Sequence, residues 1–262
     1  MPASFPGVLA LDFDGVLCDG LKEYFQSAWR AYWELWQLDD PLPPEGIAQR
    51  FYRLRPVVET GWEMPVVLRA IELGVSDDQI LQNWAAIAQQ IVQNEHLEPV
   101  QLAAKVDGIR DRWIASDPDS WLAEHVFYPG VIDRLKLALA SPVHTVIIST
   151  KEKRFIETLL QQQGVDLTNL QIYGKETQRP KHQILRELKA ACGADPVVWF
   201  VEDRLKTLQS VQRQEDLNNV VLFLADWGYN TQTDRAAAMG DSLIHLLSLE
   251  QFSQQFTAWL PG

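Results

Sequence analysis

The rhythm of apolar residues changes twice along this chain. It opens on a short unbroken run, Val8-Leu9-Ala10-Leu11, which predicts a buried parallel strand, because strands covered on both faces lose the alternation of half-exposed ones. From Leu21 the period becomes helical, with Leu21, Phe25, Ala28, Trp29, Tyr32, Trp33 and Trp36 recurring on one face. The run Pro41-Leu42-Pro43-Pro44 is expected to end that helix. Helical patterns continue around Val66–Leu73, Ile80–Asn94 and Val100–Ala115, and nothing between positions 21 and 125 reads as a strand.

From Phe127 onward strands and helices alternate. Tyr128-Pro129-Gly130 opens a helix carrying Val131, Ile132, Leu135 and Leu139. Strands are expected at Val143–Ile148, Leu170–Tyr173, Val197–Val201 and, as the last clear one, Val220–Leu224, with helices between them. This alternation predicts an α/β fold, a doubly wound Rossmann-like parallel sheet with helices on both faces. The N-terminal strand must join that sheet, so the helical middle is an insertion. The expected division is a core of 1–19 and 127–262 and an inserted α-helical cap of 20–126.

Composition narrows the partners. The chain has 262 residues and a formal charge of −12, and no basic stretch offsets the negative sign. General affinity for nucleic acid or an anionic membrane is not expected. Two cysteines give no disulfide framework, no signal peptide is expected from the opening residues and no apolar stretch reaches the length of a membrane span, so the cytoplasm is the expected location.

The candidate chemistry lies at strand ends. The first strand ends in Asp12-Phe13-Asp14-Gly15, the second in Ser149 and Thr150, and the fourth in Glu202 and Asp203, while Lys181 starts the helix before that fourth strand. Parallel strands bring their carboxyl ends to one edge, where open α/β sheets bind ligands. Carboxylates gathered there are costly to bury without a compensating cation. Together with a hydroxyl and an ammonium, they suit phosphoryl transfer assisted by Mg²⁺. Each residue also has a plainer reading. The aspartates and Ser149 favour turns and helix caps, Glu202 is an ordinary acid for a helix start, and Lys151 reads as a surface residue. Seven of the ten tryptophans, Trp29, Trp33, Trp36, Trp62, Trp84, Trp113 and Trp121, lie in the helical middle. They are expected to build its core in preference to an aromatic ligand pocket.

These motifs, in this order, resemble the haloacid dehalogenase superfamily, and most its phosphoglycolate-phosphatase-like branch. Asp12-Phe13-Asp14-Gly15-Val16 is similar to the first motif of that family, Val146-Ile147-Ile148-Ser149 to the second, Lys181 to the third and Glu202-Asp203 to the fourth. Tyr128-Pro129-Gly130-Val131 and Trp227-Gly228-Tyr229 are lesser matches. The resemblance implies a Mg²⁺-dependent phosphatase acting on a small phosphorylated metabolite, beneath a cap that closes over the site. It implies Asp12 as nucleophile, Asp14 as general acid and then base, and Ser149, Thr150 and Lys181 as holders of the phosphoryl group, with Lys175 an alternative to Lys181. Asp12, Asp203, Glu202 and the main-chain carbonyl of Asp14 are implied as the metal site. A phosphomutase, or a catalytically silent binding or regulatory protein on the same fold, is the alternative. Dehalogenation is disfavoured because it needs neither Asp14 nor a metal.

Overall fold

Four apolar residues decide where the sheet is centred. In the computed structural model, which describes residues 5–192 and 196–260, eight strands follow in chain order. They are β1 (Val8–Leu11), β2 (Cys18–Asp19), β3 (Val126–Phe127), β4 (His144–Ile148), β5 (Gln171–Tyr173), β6 (Val198–Glu202), β7 (Val221–Ala225) and β8 (Ile244–Leu247). Six of them form one parallel sheet in the order β5-β4-β1-β6-β7-β8. β1 is buried along its whole length, as its unbroken apolar run requires.

The contacts group into two compact units, Met1–Asp19 with Val126–Gly262, and Gly20–His125. The second holds helices α1 (Leu21–Trp36), α2 (Ile47–Leu54), α3 (Glu63–Glu72), α4 (Asp77–Asn94), α5 (Pro99–Ser116) and α6 (Pro118–Ala123). Its core gathers Phe25, Trp29, Tyr32, Phe51, Leu54, Trp84 and Val106, with Trp36 and Trp62 half-buried against them. Trp113 and Trp121 are buried as well. The indole of Trp29 donates to the Pro41 carbonyl, and those of Trp36 and Trp84 to Glu95 and Glu63. α1 stops before the proline run, at a left-handed Gln37 whose N–H reaches back to the Trp33 carbonyl. α4 starts at a capping box between Ser76 and Gln79.

The first unit carries α7 (Val131–Leu139), α8 (Lys153–Gln162), α9 (Lys181–Ala191), α10 (Leu205–Gln212), α11 (Gln232–Met239) and α12 (Leu249–Phe252). One face of its sheet presents Val8, Ala10, Val146, Ile148, Phe200 and Leu222 to α9 and α10, through Leu185, Leu188, Leu205 and Leu208. On alternate positions the other face carries Trp199 and Phe223, which pack with Trp259 at ring separations of 5.7 and 5.6 Å. β2 and β3 form a separate antiparallel pair at the point where the chain leaves for the helical unit and returns. No helix among the described residues is long and apolar enough to cross a membrane.

The sheet differs from the expected one at its far edge. β8 extends it beyond β7, so Val220–Leu224 does not mark the last strand. Register places the chemistry. Leu11 lies opposite Ile147 of β4 and Val201 of β6, so Asp12, Ser149 and Glu202 leave the sheet at one edge. The chain runs from β1 through β4 to β5 and then crosses back to β6, which makes β1 the point where strand order reverses. Ligand crevices of open α/β sheets form at such points.

Candidate active site

Asp12 follows β1 and its N–H donates to the Val201 carbonyl at 2.9 Å, fixing the turn against β6. Its Oδ1 accepts from the Phe13 N–H at 2.7 Å, and its Oδ2 lies 2.8 Å from Lys181 Nζ. The lysine, on the first residue of α9, also meets Glu202 Oε2 at 2.7 Å. Lys175, by contrast, is exposed on a short turn after β5. Glu202 and Asp203 are fully buried, and carboxylate oxygens of Asp12, Glu202 and Asp203 all lie within 4.8 Å of one another.

Two glycines let the chain close around this cluster. Gly15 has a left-handed backbone with φ of 83°, and a Cβ there would meet Asp203 Oδ2 at 2.1 Å. At Gly228 a Cβ would meet the Asp203 Cβ at 2.3 Å and the Gly15 carbonyl at 2.5 Å. With no side chain at either position, the Tyr229 N–H can donate to Asp203 Oδ2 at 2.7 Å. The Asp203 carboxylate, one residue past β6, is therefore gripped from two loops.

Burial governs the electrostatics. It pushes Asp12 up to about 8, helped by the charge of Glu202 and opposed by Lys181. Asp203 rises to about 6, again mainly by burial and then by Asp12, and Glu202 is raised chiefly by burial. Burial works against the charge of Lys181, but Asp12 and Glu202 outweigh it and hold the ammonium above the ordinary lysine range. Three acids around one lysine leave a surplus of negative charge. An all-oxygen carboxylate set of this kind suits a hard divalent cation such as Mg²⁺, so the residues present fit that ion.

Asp14 stands apart from the cluster. Its Oδ1 is buried and accepts no hydrogen bond, and its counter-charge is Lys151 Nζ at 3.2 Å. This corrects the reading of Lys151 as a surface residue, since its side chain is only 8% exposed. The backbone explains why. The Lys151 N–H donates to Ser149 Oγ at 3.1 Å, curling the turn after β4 over the edge that Asp14 occupies. Ser149 is buried and its N–H pairs with the Tyr173 carbonyl, whereas Thr150 is exposed. Position in the sequence held the signal for Lys151, because a residue just past a strand end sits over the ligand edge whatever its type.

No protein-family model matches the sequence, and no curated protein matches it either. Solved structures do match in shape. A predicted phosphatase from Clostridium acetobutylicum superposes with a TM-score of 0.58 at 13% identity, over 95% of this chain and 97% of that one. A haloacid dehalogenase-like family hydrolase from Streptococcus pneumoniae gives 0.55 at 16% identity, over 94% of each chain. A predicted phosphoglycolate phosphatase from Haemophilus somnus gives 0.54 at 12% identity, over 88% of this chain and 90% of that one. The chain has the fold of the haloacid dehalogenase-like hydrolases.

Proposed function

We propose that this chain is a Mg²⁺-dependent phosphatase that hydrolyses a small phosphomonoester through an aspartyl-phosphate on Asp12, with phosphoglycolate the first substrate to try. One observation carries the reading. Asp12 sits where strand order reverses, 2.8 Å from Lys181, with two further carboxylates within 4.8 Å of its own. The phosphatases among the structures of similar shape support it.

Asp12 would attack phosphorus and release the alcohol, and water would then cleave the acyl phosphate, dividing one hard displacement into two. Asp14 would donate a proton to the departing oxygen and later take one from the water. Ser149 and Lys181 would hold phosphoryl oxygens, with Thr150 beside them. A carboxylate approaching a phosphate dianion meets repulsion of about 4 kcal/mol per charge pair at 4 Å in a surface-like dielectric. Held by Asp12, Asp203, Glu202 and the Asp14 carbonyl, Mg²⁺ would supply the positive charge that opposes this repulsion. The nucleophile, the acid and their supporting groups all belong to 1–19 and 127–262, and 20–126 would serve as the cap. Cys18 and Cys192 are both free thiols, which supports action in a reducing cytoplasm.

The test is phosphate release from a panel of phosphomonoesters, with and without Mg²⁺, for the parent and Asp12→Asn. Metal-dependent release that the variant loses is the expected result. Isomerised product without net release would replace the phosphatase with a mutase. Silence across a broad panel would leave a binding protein.

A further inference from the structure

The loop after β7 holds more of the site than the proposed reaction uses. The Trp227 indole donates to the Val16 carbonyl at 3.1 Å, beside the acidic turn. Next in the chain, the Tyr229 N–H donates to Asp203 Oδ2, and the Tyr229 hydroxyl donates to Asp19 Oδ1 at 2.9 Å. The phenol of Tyr128 lies beside that of Tyr229. Asn230 then fixes the main chain on both sides, donating to the Asp203 carbonyl at 3.0 Å and to the Ala225 carbonyl at 2.8 Å. Arg235 in turn holds the Asn230 Oδ1 at 2.9 Å.

Asp19 is the last residue of β2, and Tyr128 directly follows β3, with its N–H on the Leu17 carbonyl at 3.1 Å. These strands have two residues each. A ribbon so short has little stability of its own, so its order depends on what anchors it. Cys18 is tied to Phe13 and Gly15 through the main chain, and Tyr229 adds an anchor from the loop after β7, its hydroxyl on Asp19 and its backbone N–H on the carboxylate of Asp203. Its ring is only 5% exposed, and a packed phenol has few rotamers through which to absorb movement.

We propose that Tyr229 is a positioning residue that couples cation binding at Asp12, Glu202 and Asp203 to the order of the β2–β3 ribbon, where the chain enters and leaves the helical unit. The inference rests on the metal reading above. A cation that restrains Asp203 restrains the Tyr229 backbone, and the phenol passes that restraint to Asp19 and Tyr128. Linkage makes the effect reciprocal, so an ordered ribbon strengthens cation binding by the factor with which the cation orders the ribbon.

Amide hydrogen exchange of the full chain, with and without Mg²⁺, tests this in peptides carrying Cys18–Asp19 and Val126–Phe127. In the parent, Mg²⁺ should slow exchange in both strands about fivefold or more, the lower end of ordinary coupling between sites. Tyr229→Phe keeps the ring and the backbone N–H but cuts the tie to Asp19. In that variant the ribbon should exchange faster without metal and Mg²⁺ should no longer slow it. Calorimetry should find Mg²⁺ bound more weakly by a comparable factor. Asp19→Ala should reproduce the loss from the other end, while exchange in β7 stays unchanged in both variants. Mg²⁺ binding to the parent without protecting the ribbon overturns the coupling alone, as does protection that persists in Tyr229→Phe. Absence of Mg²⁺ binding to the parent overturns the metal reading and the coupling with it.

Discussion

Gly15 leaves the acidic turn almost no freedom. Its backbone is left-handed, and a methyl group there would press on the Asp203 carboxylate. Gly15→Ala should cost roughly 1–3 kcal/mol of stability and weaken Mg²⁺ binding as Asp203 is pushed aside. Urea unfolding and calorimetry measure the two effects, and an unchanged affinity would separate Asp203 from the cation. The glycine was legible in the sequence, since Asp12-Phe13-Asp14-Gly15 reads as a turn at a strand end. Lys151 was not. Residue type favours solvent for a lysine, and only the curl of the turn over Ser149 Oγ brings it to Asp14. Lys151→Met would leave a buried oxygen of Asp14 without its counter-charge. We expect turnover to fall about tenfold or more, part of the roughly 10²–10⁴-fold that a positioned proton-transfer group contributes, with a smaller change in KM. Lys151→Arg should recover part of the loss. A rise in KM as large as the fall in kcat, without rescue by arginine, would make Lys151 a phosphate ligand instead of a holder of Asp14.

Among the elements, burial decided what the sequence revealed. β1 and β7 are apolar through their length, β4 and β6 carry unbroken apolar runs flanked by His144-Thr145 and by Glu202, and all four were legible to within a residue or two. β8 was not, because Ile244 and Leu247 are its buried residues and His245 and Leu246 between them are half-exposed. Four residues with that pattern at a sheet edge give no period to detect. β2 and β3 are shorter still and owe their pairing to tertiary anchors. α1 appeared with its true start, but its end did not follow from the prolines, because the left-handed Gln37 had already closed it. Inside the helical unit, α1 and α5 are joined by an ion pair that no local pattern signals. Glu23, buried in the first turn of α1, accepts from Arg110 Nε at 2.7 Å and from Ser27 Oγ at 2.7 Å. Arg110→Met should destabilise the chain by about 3–5 kcal/mol, because the buried carboxylate loses its counter-charge. Adding Glu23→Gln should restore much of that stability. A single variant within 1 kcal/mol of the parent, judged by urea unfolding as roughly the range of a surface pair, would show that water reaches Glu23.

For the molecule as a whole, the formal charge of −12 is less telling than the concentration of acids at one sheet edge. Asp12 is raised to about 8 and Asp203 to about 6, with burial the main cause in each. The folded protein therefore holds protons on these carboxyls that the unfolded chain gives up near the usual carboxylate range. Their contribution to stability is fully present below that range. It is lost as pH rises, first through the folded value of Asp203 and then through that of Asp12. Lys181 is shifted upward by the same acids, so its contribution persists throughout this window. A cation competes with protons for the same oxygens. Its stabilisation should accordingly grow over the pH range in which those protons leave. Thermal melts with and without Mg²⁺ should show a larger rise in Tm at pH 8 than at pH 6, and the difference should shrink in Asp203→Asn, which removes one of the titrating ligands. A Mg²⁺ effect of the same size at both pH values would mean that the ion binds outside this cluster, and the charge surplus at the strand switch would then need a different partner.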